Sequence, residues 1–338
     1  MTKTISWTLL RYLLTFAIAS VIIFVLIRII PGDPAAVALG VTATPETIAA
    51  LQAELGTNRP LIQQYFSWVF GMLSGNFGVS LSSGQDLSPL ILDRLQVSLI
   101  LVGCSIVLSL LIAVPLGVFS ARRGGVLISG ISQIGIAIPS FLAGILLVSV
   151  FAVGLGWLPA NGWIPPSENF RGFLARLILP VLALSAVQAA ILTRYVRSAV
   201  MDVLSEDFMR TARSKGMSHN RALIVHGLRN AALPVLTVTG LQLTTLVIGA
   251  VVIEQVFVIP GIGSMLLESV SNRDLIAVQS IVMLLVAFTL LVNLAVDLLY
   301  QVVDPRLGSS TESSPGRSFG SGFGGGFNKG FAAESRSV

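Results

Sequence analysis

The sequence predicts an all-α polytopic membrane protein with six transmembrane helices, and three observations carry that prediction. Of 338 residues, 54% are apolar and 11% charged, whereas soluble domains carry about 25% charged residues. The mean hydropathy of +0.87 comes from long uncharged runs, with the charges gathered between them. The basic residues, finally, fall very unequally on alternate connections.

The runs lie at 12–27, 95–121, 126–155, 177–193, 231–253 and 275–296. At 1.5 Å of rise per residue, about 20 residues cross the hydrocarbon core, so each run spans, the shorter ones by recruiting their flanks. The first run follows Lys3 and Arg11 like a signal peptide. It nevertheless extends over 7–30 and leads into Pro31-Gly-Asp-Pro34, longer than the roughly 7–15 residue core of a signal peptide and without a small-residue cleavage site. A retained first span is expected. The single Cys104 lies in the second run, which excludes intrachain disulfides, cysteine zinc clusters and Cys-X-X-Cys chemistry.

Six spans place both termini on one side. The connections of that side hold fifteen Lys and Arg residues, against six on the other: Arg28, Arg59, Arg94, Arg171, Arg176 and Arg273. Basic connections are retained in the cytoplasm, so both termini are expected there. The net charge of +5 is then a signal of orientation, and the dispersed basic residues imply the lipid bilayer as a partner and no nucleic acid.

Residues 1–306 are expected to form the transmembrane domain, with an external helical segment at 31–94 and a cytoplasmic coupling segment at 200–230. In the external segment, Thr44 is suited to cap a helix beginning at Pro45 and ending at Gly56. A second helix starts at Pro60, with Leu61, Ile62, Tyr65, Phe66, Val69, Phe70 and Leu73 on one side, able to lie on the membrane or against other helices. Residues 307–338 are rich in Gly and Ser with isolated Phe, the composition of a flexible cytoplasmic tail.

Between the fourth and fifth runs the pattern becomes amphipathic. Val200, Val203, Leu204 and Phe208 share one face, and Asp202, Glu206, Asp207 and Arg210 take others. Gly216 permits a sharp left-handed turn, Ser218 is placed to cap a second helix running to Arg229 and Asn230, and Leu233-Pro234 opens the next span. The expected product is a helix-turn-helix wedge on the cytoplasmic face, too close to membrane spans to reach a DNA duplex.

Catalytic chemistry finds few candidates. His219 and His226 are seven apart in a cytoplasmic connection without a matching Cys or carboxylate pattern, so no metal site is expected. There is no His-Glu-X-X-His motif and no Gly-X4-Gly-Lys-Ser/Thr phosphate loop, so ATP hydrolysis belongs elsewhere. An ion-coupled secondary transporter would need ionisable groups at mid-membrane. Asp297 is the closest, and its place toward the cytoplasmic end of the last run favours a structural partnership. Gln188, Gln242 and Thr245 could face a central cavity, and ordinary interhelical hydrogen bonds explain them equally well.

The segments Tyr195-Val-Arg197, Arg210-Thr-Ala-Arg-Ser-Lys-Gly216, His226 and Arg229-Asn-Ala-Ala-Leu-Pro234 resemble the cytoplasmic motif of bacterial ABC importer permeases, in the wording of the dipeptide/oligopeptide branch. Against the general permease motif Glu-Ala-Ala-X3-Gly-X9-Ile-X-Leu-Pro, the first positions are Arg210, Thr211 and Ala212, and the interval from Gly216 to Pro234 is longer. Arg28-Ile-Ile-Pro-Gly-Asp-Pro34, Leu55-Gly-Thr-Asn-Arg-Pro-Leu61, Gly75-Asn-Phe-Gly-Val-Ser-Leu81, Ile138-Pro-Ser-Phe141, the segment from Glu254 to Gly263 and Asp304-Pro-Arg306 follow in family order. The resemblance covers 1–306.

It implies a non-catalytic subunit of a bacterial inner-membrane importer. A second homologous permease subunit would share the pathway, two cytoplasmic ATPase subunits would hydrolyse ATP with Mg2+, and an extracytoplasmic substrate-binding protein would deliver peptides. No cofactor is implied in this chain. The same machinery imports nickel, haem or glutathione in related systems, and those alternatives stay open. The residues implied to touch the ATPase partner are Phe208, Arg210, Thr211, Ala212, Arg213 and Gly216.

Overall fold

The computed structural model describes residues 2–29, 34–39, 43–123 and 125–303. The tail at 307–338, the Asp304-Pro-Arg306 motif and most of the Pro31-Gly-Asp-Pro34 turn lie outside them. Among the described residues the chain is helical, its one bridge pairing Val79 with Asp86. Among the described residues five helices are long and apolar enough to cross a membrane, and a bent pair reaches that length and apolarity only when taken together, which makes six if the pair is one span.

Helix α1 (Thr2–Ile29) is the first span. After a short α2 (Pro34–Leu39), α3 (Pro45–Leu55) starts where the sequence placed it. The Thr44 hydroxyl accepts from the Thr47 N–H, and Gly56 closes the helix at φ +68°. Helix α4 (Leu61–Leu73) follows Pro60. Its polar and aromatic side packs on the C-terminal half of α1: the Tyr65 hydroxyl lies 2.8 Å from Ser20 Oγ, Phe24 meets the rings of Tyr65 and Trp68, and Arg28 donates to Gln64 Oε1 at 2.7 Å. Its other side leaves Leu61, Ile62, Phe66, Phe70 and Leu73 exposed.

Helix α5 (Leu87–Arg123) begins eight residues before the uncharged run at 95. Asp86 accepts the Ser88 N–H at 2.8 Å and caps it; that bond holds the carboxyl below the usual carboxylate range.

The third run is where structure and sequence part. The sequence predicts one span over 126–155, but α6 (Val126–Ala137) and α7 (Ser140–Leu147), prolonged by a π-helical stretch Val148–Gly154, meet at a 95° bend. Pro139 causes it. A residue before proline is driven from the helical region, and Ile138 sits at φ −89°, ψ 119°. Composition could not reveal this, because a break between apolar residues leaves hydropathy unchanged.

Helix α8 (Phe170–Ser205), α9 (Asp207–Ser214), α10 (His219–Ala222), α11 (Leu228–Val256), α12 (Ile262–Ser271) and α13 (Leu275–Val303) complete the chain. Helices α5, α8 and α11 enclose the main core around Leu101, Leu184, Leu192, Leu246 and Ile253, with Phe257 at one end. Between helices in lipid there is little hydrophobic driving force, so van der Waals packing holds such a core.

Pro234 does not open the fifth span. A π-helical turn, Leu223–Gly227, joins α10 to α11 without interruption, and Pro234 lies inside α11, where bundled neighbours make an internal proline tolerable. Helix α12 was not anticipated, although the buried positions Ile262, Met265 and Ser269 repeat with helical spacing.

Candidate coupling site

The wedge is built from the end of α8 downward. Val200 and Val203 are buried, and α8 stops at Ser205 because Glu206 turns extended at φ −68°, ψ 147°. This single residue redirects the chain. Phe208, which the sequence placed on the face of Val200 and Val203, becomes exposed, and the amphipathic element shrinks to the eight residues of α9.

Helix α9 carries Asp207 in its first turn and Arg213 in its last, each sign at the end of the helix dipole that favours it. Met209 and Ala212, three apart on one face, are buried in a cluster with Val196, Ala199, Val200 and Val203 of α8 and with Ala222 and Leu223 beyond the turn. Ala212 therefore seats the helix on its own chain. Its register with Met209 turns it inward. Phe208, Arg210, Thr211 and Arg213 point outward, with Lys215 and Gly216 following. The exposed Arg210 lies 3.7 Å from Asp207, and Thr211 Oγ1 donates to the Asp207 carbonyl at 3.1 Å.

Gly216 stands at φ +86°. No atom lies within 4 Å of the place its Cβ would occupy, so glycine is required by backbone conformation and not by space. Its N–H donates to the Arg213 carbonyl at 2.9 Å. Ser218 then caps α10, its hydroxyl accepting from the Arg221 N–H, as the sequence expects. Arg122, at the end of α5, hydrogen-bonds Asn220, tying the connection after α5 to the wedge. His219 and His226 are exposed. Two arms and a fixed turn thus form one unit, whose second arm is continuous with a membrane span.

The far end of α11 holds a group that sequence reasoning missed. Glu254, 1% exposed, accepts from Ser98 Oγ of α5 at 2.5 Å and from the Ser264 N–H at 2.9 Å. The Ile262 N–H donates in turn to Ser98 Oγ at 2.8 Å. A Cβ on Gly261 would stand 2.1 Å from the Glu254 carboxyl carbon, so only glycine fits there. The segment from Glu254 to Gly263 is therefore a buckle closed by a buried carboxylate, and a lone acid at the end of an uncharged run was its signal. Past the other end of α12, Asp274 accepts from Ser80 Oγ at 2.5 Å, from Ser82 Oγ at 3.3 Å and from the Ala277 N–H at 3.1 Å.

Asp297 has the structural partners expected: Arg11 Nη2 at 2.7 Å and the Tyr12 hydroxyl at 3.0 Å. Of the candidate cavity residues, Gln188 is buried, Gln242 half-buried and Thr245 exposed.

The chain matches two family models in succession. The N-terminal model of binding-protein-dependent transport system membrane components matches residues 1–102, and the model of the binding-protein-dependent transport system inner membrane component matches residues 105–309. The probable peptide ABC transporter permease protein y4tP of Sinorhizobium fredii is 38% identical over 295 residues, 86% of this chain and 94% of the relative. The oligopeptide transport system permease protein AppB of Bacillus subtilis is 39% identical over 295 residues, covering 85% and 93%. The glutathione transport system permease protein GsiC of Salmonella typhimurium is 37% identical over 303 residues, covering 88% and 96%. With both models in chain order and relatives aligned over most of its length, this multi-helix membrane protein belongs to the binding-protein-dependent transport system inner membrane component family, the permeases of ABC transporters.

Proposed function

We propose that this chain is one of two permease subunits of an ATP-driven importer that moves peptides into the cytoplasm. The observation that carries the reading is the wedge: α9 is anchored inward by Met209 and Ala212 and presents Phe208, Arg210, Thr211 and Arg213 outward. An exposed aromatic with two arginines on the same short helix is a surface suited to a protein groove. Cytoplasmic ATPase subunits, holding ATP and Mg2+, would grip it, and the turn at Gly216 would pass their closure into α11. Differential affinity of the partners for two orientations of the wedge sets the direction of transport. A second permease completes the pathway, and an extracytoplasmic binding protein delivers the substrate. Both termini lie in the cytoplasm in this reading, the Gly/Ser-rich tail included. The permease domain extends over 1–306.

Peptide import is supported by the names of two relatives, y4tP and AppB. Glutathione import is the second reading, favoured by GsiC. Proteoliposomes containing the two permeases, the ATPases and the native binding protein separate them. Labelled trialanine should accumulate with ATP, and excess unlabelled peptide should compete better than glutathione; accumulation of glutathione alone would reverse the assignment. Orientation is tested in the same vesicles. Cysteines replacing Gln52 and Asn161 should react from the side of the binding protein, and one replacing Asn220 only from the ATPase side.

A further inference from the structure

Helix α11 leaves the wedge and α13 returns toward it, so the start of α13 lies at the opposite end of the molecule. There a cavity of about 250 Å³ opens between the C-terminal end of α1, the turn from Gly56 to Arg59, α4 and the start of α13. Arg28, Arg59, Gln64, Trp68, Asn76 and Gln279 are among the residues that line it. Gln64 fixes its shape. The Gln64 Oε1 accepts from Arg28 Nη2 at 2.7 Å, and its Nε2 donates to the Thr57 and Arg59 carbonyls at 2.9 Å and 2.8 Å. Both ends of this amide are therefore spent in holding Arg28 to the turn that carries Arg59.

The two arginines keep most of their donors. Arg28 gives one hydrogen bond, to Gln64, and lays its guanidinium 4.9 Å from the centroid of the Phe24 ring. Arg59 folds back on its own turn, its Nε 3.4 Å from the place of a Cβ on Gly56. Among the described residues the ion pairs are those of Arg11 and Arg210, and no carboxylate lines the cavity. Gln279 adds an independent sign. It is 4% exposed, it lines the cavity, and its amide has no hydrogen-bond partner among the described residues. A buried amide of this kind calls for a partner from outside the chain, and the arginines beside it require that partner to be an anion.

The depth of the cavity identifies the anion. Arg28 stands at the end of the 25-residue apolar stretch Ile5–Ile29, the level at which phospholipid headgroups meet a span. Helix α4 packs along α1 from Ser20 to Arg28, about 12 Å of helix, and turns Leu61, Ile62, Phe66 and Phe70 outward. Over the same stretch α1 leaves Val25, Leu26 and Ile29 exposed. The cavity is thus basic at headgroup depth, and the two helices that build it present apolar side chains toward the bilayer. A phosphate carrying acyl chains meets both requirements.

We infer that the cavity between α1, α4 and α13 binds the phosphate of a membrane phospholipid, with Arg28 and Arg59 as its anchors and the Gln279 amide donating a further hydrogen bond. The acyl chains lie along the exposed faces of α1 and α4. A guanidinium matches phosphate oxygens in geometry as well as charge, so the lipid neutralises two like charges held at one cavity and fastens α4 to the bundle. This role is independent of the cargo that the transporter moves.

The test uses the solubilised full-length chain, stripped of lipid in detergent and titrated with dioleoylphosphatidylglycerol. Native mass spectrometry should show a single retained lipid, and the melting temperature should rise. Dioleoylglycerol, which lacks the phosphate, should do neither at the same concentration. Arg28→Gln and Arg59→Gln should each weaken retention about tenfold, the loss of one charge-assisted contact, whereas Arg171→Gln, an exposed arginine at the same end of the molecule, should leave it unchanged. Gln279→Leu keeps the test open should an arginine variant fail to fold: it removes a buried amide that has no partner, so the lipid-free melting temperature should stay level or increase while retention weakens several-fold. Equal retention of dioleoylglycerol would reduce the effect to the lipid annulus, and equal stabilisation by inorganic phosphate or trialanine would make the ligand a free anion. Lipid expelled when the partner permease binds would give the cavity to the subunit interface. Arginine variants that lower the melting temperature equally with and without lipid would mean that the arginines are paired within the chain, Asp33 and Glu54 being the acids nearest in sequence. Any of these results, or unchanged retention in the variants that fold, overturns the inference.

Discussion

The two ends of α11 solve opposite problems with different chemistry. At its far end, Glu254 is buried and bonded to Ser98 and Ser264, and Asp274, past α12, is held by two serines and a backbone N–H. The bonds from Ser98, Ser80 and Ser82 join segments distant in sequence, and a buried acceptor deprived of its donors is costly. At its near end the wedge buries no charge. Small and flexible apolar residues seat it, and its arginines face solvent, where the one pair with Asp207 contributes little. Polar locking suits a part that must keep its shape, and an apolar seat with an open face suits a part that must be gripped and moved.

The largest effect should come from unlocking the far end. Glu254→Ala leaves the Ser98 hydroxyl and the Ser264 N–H without their acceptor, at about 1–3 kcal/mol for each buried group, and opens a void against Gly261. The solubilised chain should melt at a clearly lower temperature, and complexes with the partner permease should be recovered in lower yield. A melting temperature within the error of the parent would show that the far end is no more rigid than the wedge.

Gly216→Val acts at the near end and should cost less stability than Glu254→Ala. A residue at φ +86° with a β-branched side chain costs about 1–3 kcal/mol in strain, and the open space around it means that no steric clash adds to this. The turn between α9 and α10 should relax to another angle. Peptide uptake per ATP hydrolysed should fall in proteoliposomes while all spans remain inserted, with Gly325→Val in the tail as the control. Unaltered coupling and partner binding would make the wedge an ordinary connection.

The sequence was informative where periodicity and caps carry the signal, and silent where a tertiary contact decides. The spans, the Thr44 cap, the Gly56 stop and the turn at Gly216 are local, and they stand where the residues predict them. The bend at Pro139 has a local cause in the residue before proline, but it falls between apolar residues, where hydropathy does not register it. The inward register of Ala212 depends on the single extended residue Glu206, which a hydrophobic pattern reads through. Glu254 and Ser98 are 156 residues apart, and no spacing rule joins them. Helices α3 and α4 follow the local rules, yet which face of α4 would be covered required the side of α1 to be known.

The smallest effect is expected at Asp297, and it separates two readings of an acidic residue in the last span. Its carboxylate meets Arg11 and Tyr12, but the side chains of Arg11 and Asp297 are 62% and 40% exposed, so the pair is a surface clamp between α1 and α13. Such pairs contribute about 0.2–1 kcal/mol, far less than a buried carboxylate with the partners of Glu254. Asp297→Asn keeps the shape and one hydrogen-bond acceptor while removing the charge. A proton- or sodium-coupled carrier could not lose the coupling carboxylate and still concentrate its substrate. An ATP-driven importer should retain uptake near the parental rate, with a melting temperature lower by a degree or two at most and less so in high salt, where exposed pairs are screened. Uptake abolished by Asp297→Asn while the complex still assembles would break the comparison, because it would place an indispensable charge at the end of the molecule argued to need none.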